Sequence, residues 1–304
     1  MKRPIIIDTD PGIDDALAIA IALFSNELDV RLISTVAGNV SIDKVTNNAL
    51  KLLALFKKDI PVAMGAKEPL IEPLIDASNV HGSSGMDGFD FPKPKIELLC
   101  KNHAVLELRD TILNSKEKIT LVPIAPLTNI ALLFSMYPEV KDNIAEIVLM
   151  GGSLARGNKG VLSEFNFATD PEAAKMVFNS GLPIVMATLD VGLKALVYPE
   201  DMAKIDEFGE VGKMANALFK KYRGGSFNTG LKMYDSCAIA YLLKPELFSV
   251  SECFVDIELN GYARGASVVD LKGYLKREAN AKVCTDIDAN AFREWFLNSL
   301  SKCI

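Results

Sequence analysis

The stretch IIIDTDPGIDDALAIAIALF, residues 5 to 24, places four aspartates, Asp8, Asp10, Asp14 and Asp15, within eight positions, where an apolar run meets a helical pattern. One or two acids in the first turn of a helix are ordinary, because the positive end of the helix dipole favours each by roughly 0.3 to 1 kcal/mol. Four are not. Packed at the end of a buried strand they repel one another and would take up protons unless a cation compensated them. Aspartate oxygens suit a hard ion such as Ca²⁺ or Mg²⁺, and Ca²⁺ tolerates the irregular ligand sets that loops supply. No glycine-rich phosphate cradle with a lysine accompanies the cluster, and carboxylates here would repel a phosphate unless a metal intervened. Sugar hydroxyls fit better.

The elements that must hold these residues follow from periodicity. Short β-rich apolar runs at 5–7, 30–36, 119–124, 147–150 and 184–189 alternate with segments of helical period, which is the pattern of parallel strands buried on both faces. The segment 41–58 puts Val45, Ala49, Leu52 and Phe56 on one helix face, and DPEAAKMVFNSG begins with Asp170 as N-cap and Pro171 at the first helical position, and stops at Gly181. The fold class predicted is α/β, a single-domain doubly wound, mostly parallel open sheet of Rossmann-like type over residues 1–304. In such a sheet the loops at the carboxyl ends of the strands build the ligand site, and the aspartates lie in one of them. The same logic collects Asn39 in VAGN, Ile124 in LVPIAPLTNI, Gly151 and Gly152 after IVLM, and Asp190 after MATL. Glu164 and Asn166, two apart, would point to the same side of an extended segment. Either one alone reads equally as loop solvation or helix capping. Two glycine-containing stretches, 69–94 and 221–230, are expected to be long loops that act as mobile lids.

Composition narrows the partners. The chain has 304 residues, an apolar fraction of 49% and a formal charge of -6. Its Lys and Arg are scattered, so no basic stripe for nucleic acid or an anionic membrane is expected. Too few apolar residues follow the N-terminal MKRP for a signal-peptide core, and none of the apolar runs reaches the roughly 20 residues of a membrane span. The expected location is cytoplasmic. The five cysteines are odd in number and widely spaced, which suggests neither a disulfide framework nor a zinc site. A small-molecule partner is expected.

DTDPGIDDA, VAGN, HGSSGMDG, LVPIAPLTNIALL, MGGS, EFNFATDPEAA and DSCAIAYLL resemble, in that order and across nearly the whole chain, the inosine-uridine preferring nucleoside hydrolases. DxD alone is also similar to the aspartate-nucleophile phosphatases, but there Gly-Thr or a similar pair follows the second aspartate, where this chain has Pro11 and Gly12. The resemblance implies the nucleoside hydrolase fold and a ribonucleoside N-glycosidase of purine and/or pyrimidine ribonucleosides, of broad or pyrimidine-leaning specificity, working in nucleoside salvage as a homotetramer or dimer. It implies one Ca²⁺ per chain, held by Asp10, Asp15, Asp235 and the backbone carbonyl of Ile124, with Asp8 in support. Asp14, Asn39, Glu164 and Asn166 would grip the ribose, Met150 would lie against it, and Asp10 would take the proton of the attacking water. His81, at the start of HGSSGMDG, resembles the family's histidine near the base, and Tyr222 is expected as a further substrate contact there. The other histidine, His103, is expected on the surface of an amphipathic helix.

One position departs from the family. Many members have a histidine immediately before the late metal aspartate, as acid for the leaving base. Here that position is Tyr234, which makes a catalytically weak nucleoside or ribose binder the alternative reading and a metal-dependent phosphohydrolase a more distant one.

Overall fold

In the computed structural model, which describes residues 2–222, 225–226 and 229–303, the chain winds around one nine-stranded sheet. Strands β1 (Arg3–Thr9), β2 (Leu28–Thr35), β3 (Val62–Met64), β4 (Ile119–Pro123), β5 (Ile144–Met150) and β6 (Ile184–Ala187) come first. The short β7 (Leu196–Val197), β8 (Gly225–Ser226) and β9 (Gly230–Lys232) form a separate antiparallel sheet. Strands β10 (Phe248–Ile257), β11 (Ser267–Asp270) and β12 (Ala281–Ile287) complete the large sheet, in the order β11-β10-β12-β6-β5-β4-β1-β2-β3. From β3 to β12 every neighbouring pair is parallel. Only β10 and β11, at one edge, pair antiparallel to their neighbours. Among the described residues, no helix is long and apolar enough to cross a membrane.

The run Ile5–Ile7 explains the layering. Alternate side chains of a strand point to opposite faces, and Ile5 and Ile7 join one hydrophobic core while Ile6 joins the other. The first core holds the helices Ile13–Phe24, Ile42–Phe56, Gly209–Phe219, Ser236–Leu243 and Ala289–Leu300; the second holds Ala104–Leu113, Thr128–Met136 and Pro171–Phe178. Helix Ile13–Phe24 has ten of its twelve residues buried, acids included, which is why its apolar pattern runs all the way round. Asp170 caps Pro171–Phe178 as expected, accepting from the Ala173 amide at 3.0 Å. His103 caps Ala104–Leu113 through Nδ1 and is exposed.

The sequence pattern missed the strands that break the rule of full burial. β10 is irregularly exposed in its first half and alternates buried with half-buried positions only in its second, β3 is three residues long, and β7 to β9 are shorter than any periodicity can register. Of the stretch 69–94, Ile71 and Ile75 are exposed, but His81 and Met86 are buried against the body of the protein. Of the stretch 221–230, residues 223, 224, 227 and 228 lie outside the described residues.

Candidate active site

The strand order turns at β1, which has β2 on one side and β4 on the other, so the chain leaves β1 in one direction for β2 and β3 and in the other for β4 to β6. Such a switch point leaves a crevice at the carboxyl ends of the strands. Asp8 and Asp10 end β1 and begin its loop, and Ile124 follows β4, its amide donating to the Asp8 carbonyl at 2.8 Å. A cavity of about 450 Å³ opens there, lined by Asp10, Asp14, Asn39, His81, Ile124, Met150, Glu164, Asn166, Tyr222, Tyr234 and Asp235. The sequence-predicted residues therefore converge. Asp8, Asp15, Gly151, Gly152 and Asp190 do not line the cavity: Asp15 is fully buried, and Asp190 accepts the Leu154 amide at 2.6 Å instead.

Each acid is held by the local backbone. Asp15, at the third position of its helix, accepts the Gly12 amide at 2.9 Å and the Thr9 hydroxyl at 2.7 Å, the acidic half of a capping box. Asn39 donates its backbone amide to Asp10 Oδ2 at 2.6 Å, and its Nδ2 to the Asp10 carbonyl at 3.0 Å and Asp15 Oδ2 at 3.2 Å. With both amide protons engaged, its Oδ1 is left to accept from a ligand. Gly38 of VAGN lies so close to Asp10 that a Cβ would collide with the carboxylate. Asp8 Oδ1 accepts from Ser34 Oγ at 2.5 Å and Asn129 Nδ2 at 2.8 Å, while its Oδ2 is buried without a partner.

The electrostatics are those of uncompensated charge. Asp10, Asp14, Asp15 and Asp235 are buried, and among the described residues none of them pairs with a lysine or arginine. Burial, then repulsion from Asp15, raises the Asp10 carboxyl well above the usual carboxylate range, and burial with Asp14, Asp15 and Asp10 does the same to Asp235. Asp14 is pushed up to about 7 by burial and by Asp15. Asp235 stands directly beside Asp14 and Asp15, so the three carboxyls feel one another's charge. Oxygens of Asp14, Asp15 and Asp235 lie within 4.8 Å of one another. An all-oxygen set that can settle its charge only with protons or a cation fits a hard divalent ion.

This gives a pH prediction. Asp8 and Glu164 are also raised to about 7, both by burial. Carboxyls raised on folding contribute stability that is fully present below pH about 4 and is lost as pH rises through about 7. His81, lowered by burial to about 4, opposes them, its contribution being lost as pH falls from about 6.5 through about 4. The carboxyls outnumber it, so the chelated protein is expected to melt at lower temperature as pH rises from 5 to 8, while the metal-loaded protein does not. Thermal melts with and without chelator check this. A gap between the two that stays constant with pH would contradict it.

Two expectations need correction or refinement. Glu164 and Asn166 do not share an extended segment: Glu164 N-caps the helix Phe165–Thr169, accepting from the amides of Asn166 and Phe167 and, across the loop, of Gly152 at 3.0 Å. Four unpaired amides at a helix start favour that cap over an extended backbone. Both side chains reach the cavity nonetheless, with Asn166 Nδ2 on the Met150 carbonyl at 3.1 Å. The 81–85 stretch is docked: His81 Nδ1 accepts the Ile13 amide at 3.2 Å, and Asn48 Nδ2 donates to both Pro11 and Ser84 carbonyls. Sequence reasoning overlooked Asn158, Lys159 and Lys232 on the cavity wall; the first two lie in the polar ARGNKG shortly before Glu164, a visible signal.

Fold and cavity together define an α/β enzyme that acts on a small polar molecule at a carboxylate-rich strand-end site. The model of the inosine-uridine preferring nucleoside hydrolases matches residues 5–294. Non-specific ribonucleoside hydrolase RihC of Klebsiella pneumoniae is 52% identical over 296 residues, 97% of either chain. That of Salmonella typhimurium is 53% identical over 292 residues, 96% of this chain and 95% of the other. Among solved structures, an inosine-guanosine nucleoside hydrolase superposes with a TM-score of 0.92 at 28% identity, over 100% of this chain and 99% of its own. A purine-preferring ribonucleoside hydrolase from Gardnerella vaginalis does so at 0.91 and 27%, over 99% of each. The chain belongs to the inosine-uridine preferring nucleoside hydrolase family, hydrolases acting on N-glycosyl bonds.

Proposed function

We propose that the chain hydrolyses both purine and pyrimidine ribonucleosides to ribose and free base, with Ca²⁺ as its resident ion. The observation that carries this reading is the buried carboxylate cluster, unpaired with lysine or arginine among the described residues, opening on a cavity that His81, Tyr222 and Tyr234 also line. The acids suit a sugar and the rings suit a base. The Klebsiella and Salmonella relatives are non-specific ribonucleoside hydrolases, which supports breadth over one base.

Asp10, Asp15, Asp235 and the Ile124 carbonyl are the proposed ligands. The ion, when bound, would compensate these charges, draw in the ribose hydroxyls and make a water acidic. The chain's own groups do the rest. Asp10 receives the proton of the attacking water. Asp14, the free Oδ1 of Asn39, Glu164 and Asn166 hold the sugar hydroxyls, with Met150 against the ring. As the base departs, positive charge grows on the ribose, and the buried carboxylates stabilise it where water cannot screen them.

The base leaves with hydrogen-bond help. Burial holds the Tyr234 hydroxyl above its usual range, so it stays protonated and donates without giving up its proton. His81, with Nδ1 occupied by the Ile13 amide, carries its proton on Nε2 and is a neutral donor. Tyr234→Phe is expected to lower turnover by roughly ten- to a hundredfold with unchanged metal content, less than the ~10⁴ upper range of a general acid. Rates equal to the parent's would assign Tyr234 to packing alone.

Ribose release from uridine and inosine, with and without chelator, tests the whole reading. Chelator-sensitive release supports it. Binding of either nucleoside without release would make the chain a binder, and phosphate release from nucleotides would make it a phosphohydrolase.

A further inference from the structure

Gly192 ends the short helix Leu189–Gly192, and the ring of Tyr234 occupies the space a side chain there would need. A Cβ at 192 would sit 3.1 Å from Tyr234 Cε1, 3.2 Å from Cγ and closer still to Cδ1. The backbone does not call for glycine: residue 192 is absent from the positive-φ positions, and in a helix alanine is preferred. What excludes a side chain is the tyrosine.

The wall behind the ring is fixed. Thr188 ties this helix to β12 by its hydroxyl on the Cys284 carbonyl at 2.9 Å, and the Leu189 amide donates to the Gly152 carbonyl at 2.8 Å. The tyrosine's backbone is fixed too, since the Met233 amide donates to the Ala195 carbonyl at 2.9 Å and the Cys237 amide to the Tyr234 carbonyl at 3.0 Å. Tyr234 lines the cavity and Gly192 does not. A ring pushed away from Gly192 moves toward the cavity it lines.

We infer that Gly192 is a positioning residue that sets the depth of the base pocket by letting Tyr234 lean back, so that a two-ring base fits as well as a one-ring base. The inference rests on the nucleoside reading above. Gly192→Ala advances the ring and shrinks the pocket, which costs the larger two-ring base more than the one-ring base.

The test is kcat/KM for inosine and uridine in the parent, Gly192→Ala, Tyr234→Ala and the double variant. Gly192→Ala is expected to lower the inosine-to-uridine ratio by about tenfold or more, the scale of about one methylene in a pocket. In the Tyr234→Ala background the same change has no ring to move and should leave the ratio where Tyr234→Ala put it. A merely structural role for Gly192 would depress both substrates together in both backgrounds. An unmoved ratio in Gly192→Ala, or a shift that persists without the ring, overturns the inference. A Gly192→Ala chain that folds only when residue 234 is alanine supports the ring contact, and one that folds in neither background overturns it. Absence of turnover of either nucleoside by the parent would sink the nucleoside reading itself, whereas parental turnover of both with an unmoved ratio sinks only this inference.

Discussion

Asp10→Asn is expected to lower kcat on uridine and inosine alike by about a thousandfold or more, within the ~10² to 10⁴ that a general base contributes and with the loss of a metal charge added. Asparagine matches aspartate in volume and can still accept the Asn39 amide that now reaches Asp10 Oδ2 at 2.6 Å, so the turn beside Gly38 has no steric reason to rearrange. What changes is charge and basicity. An amide cannot receive the proton of an attacking water near neutrality, and it leaves Asp15 and Asp235 as the remaining carboxylates of the proposed ligand set. Elemental analysis should find less than one divalent ion per variant chain, and chelation of the parent should reproduce the loss. Calcium should restore the chelated parent but not the variant to full rate. An active parent without a divalent ion, or a variant within tenfold of it, would contradict both roles given to Asp10.

The parts of this molecule that could be read from sequence are those where burial conflicts with residue type or repeats with a period. The triple isoleucine of β1 feeds cores on both faces, so it could only be an interior strand. The aspartates after it stood out because charge is costly at a buried strand end. Where neither conflict nor period exists, the sequence is silent. β10 has one half-open face and polar residues within it, and nothing local distinguishes it from a loop. Asp235 shares oxygens within 4.8 Å of Asp15, yet no spacing rule connects residues so far apart, and it was reached only through the resemblance of DSCAIAYLL.

Second partners were harder still. Asn129 sits in a quoted motif, LTN, but its work, holding Asp8 at 2.8 Å and the Ala66 amide at 2.9 Å, depends on β1, β3 and the helix Thr128–Met136 meeting. Glu164 illustrates the opposite case, in which a residue pair does line the cavity but on a local geometry other than the one its spacing suggests. The demand of a helix start for an acceptor overrode the extended backbone that the two-residue spacing suggested. Gly192 had no signal at all, because the reason for a missing side chain is visible only when Tyr234 is seen lying on it.

The sugar side of the cavity should discriminate more sharply than the base side. 2'-Deoxyuridine is expected to be hydrolysed ~10⁴-fold less efficiently than uridine, because a site built to hydrogen-bond a hydroxyl leaves its own buried polar groups unpaired when that hydroxyl is missing. Asp14 is 3% exposed and has no cationic partner among the described residues, so without the hydroxyl its carboxylate faces an apolar methylene. A base pocket formed by rings can yield to a different base at small cost, but a carboxylate cannot yield to hydrocarbon. The chemistry itself runs the other way: the deoxy sugar loses its base more readily in water, since no electron-withdrawing oxygen opposes the growing positive charge. A preference for uridine would therefore report the protein's grip and not intrinsic reactivity. The measurement is kcat/KM for both nucleosides, divided by their uncatalysed rates, on one preparation with full metal content. Asp14→Ala should erase much of the difference by slowing uridine and sparing 2'-deoxyuridine. Equal efficiencies in the parent would place the ribose hydroxyls away from the aspartates and remove Asp14 from the sugar's grip.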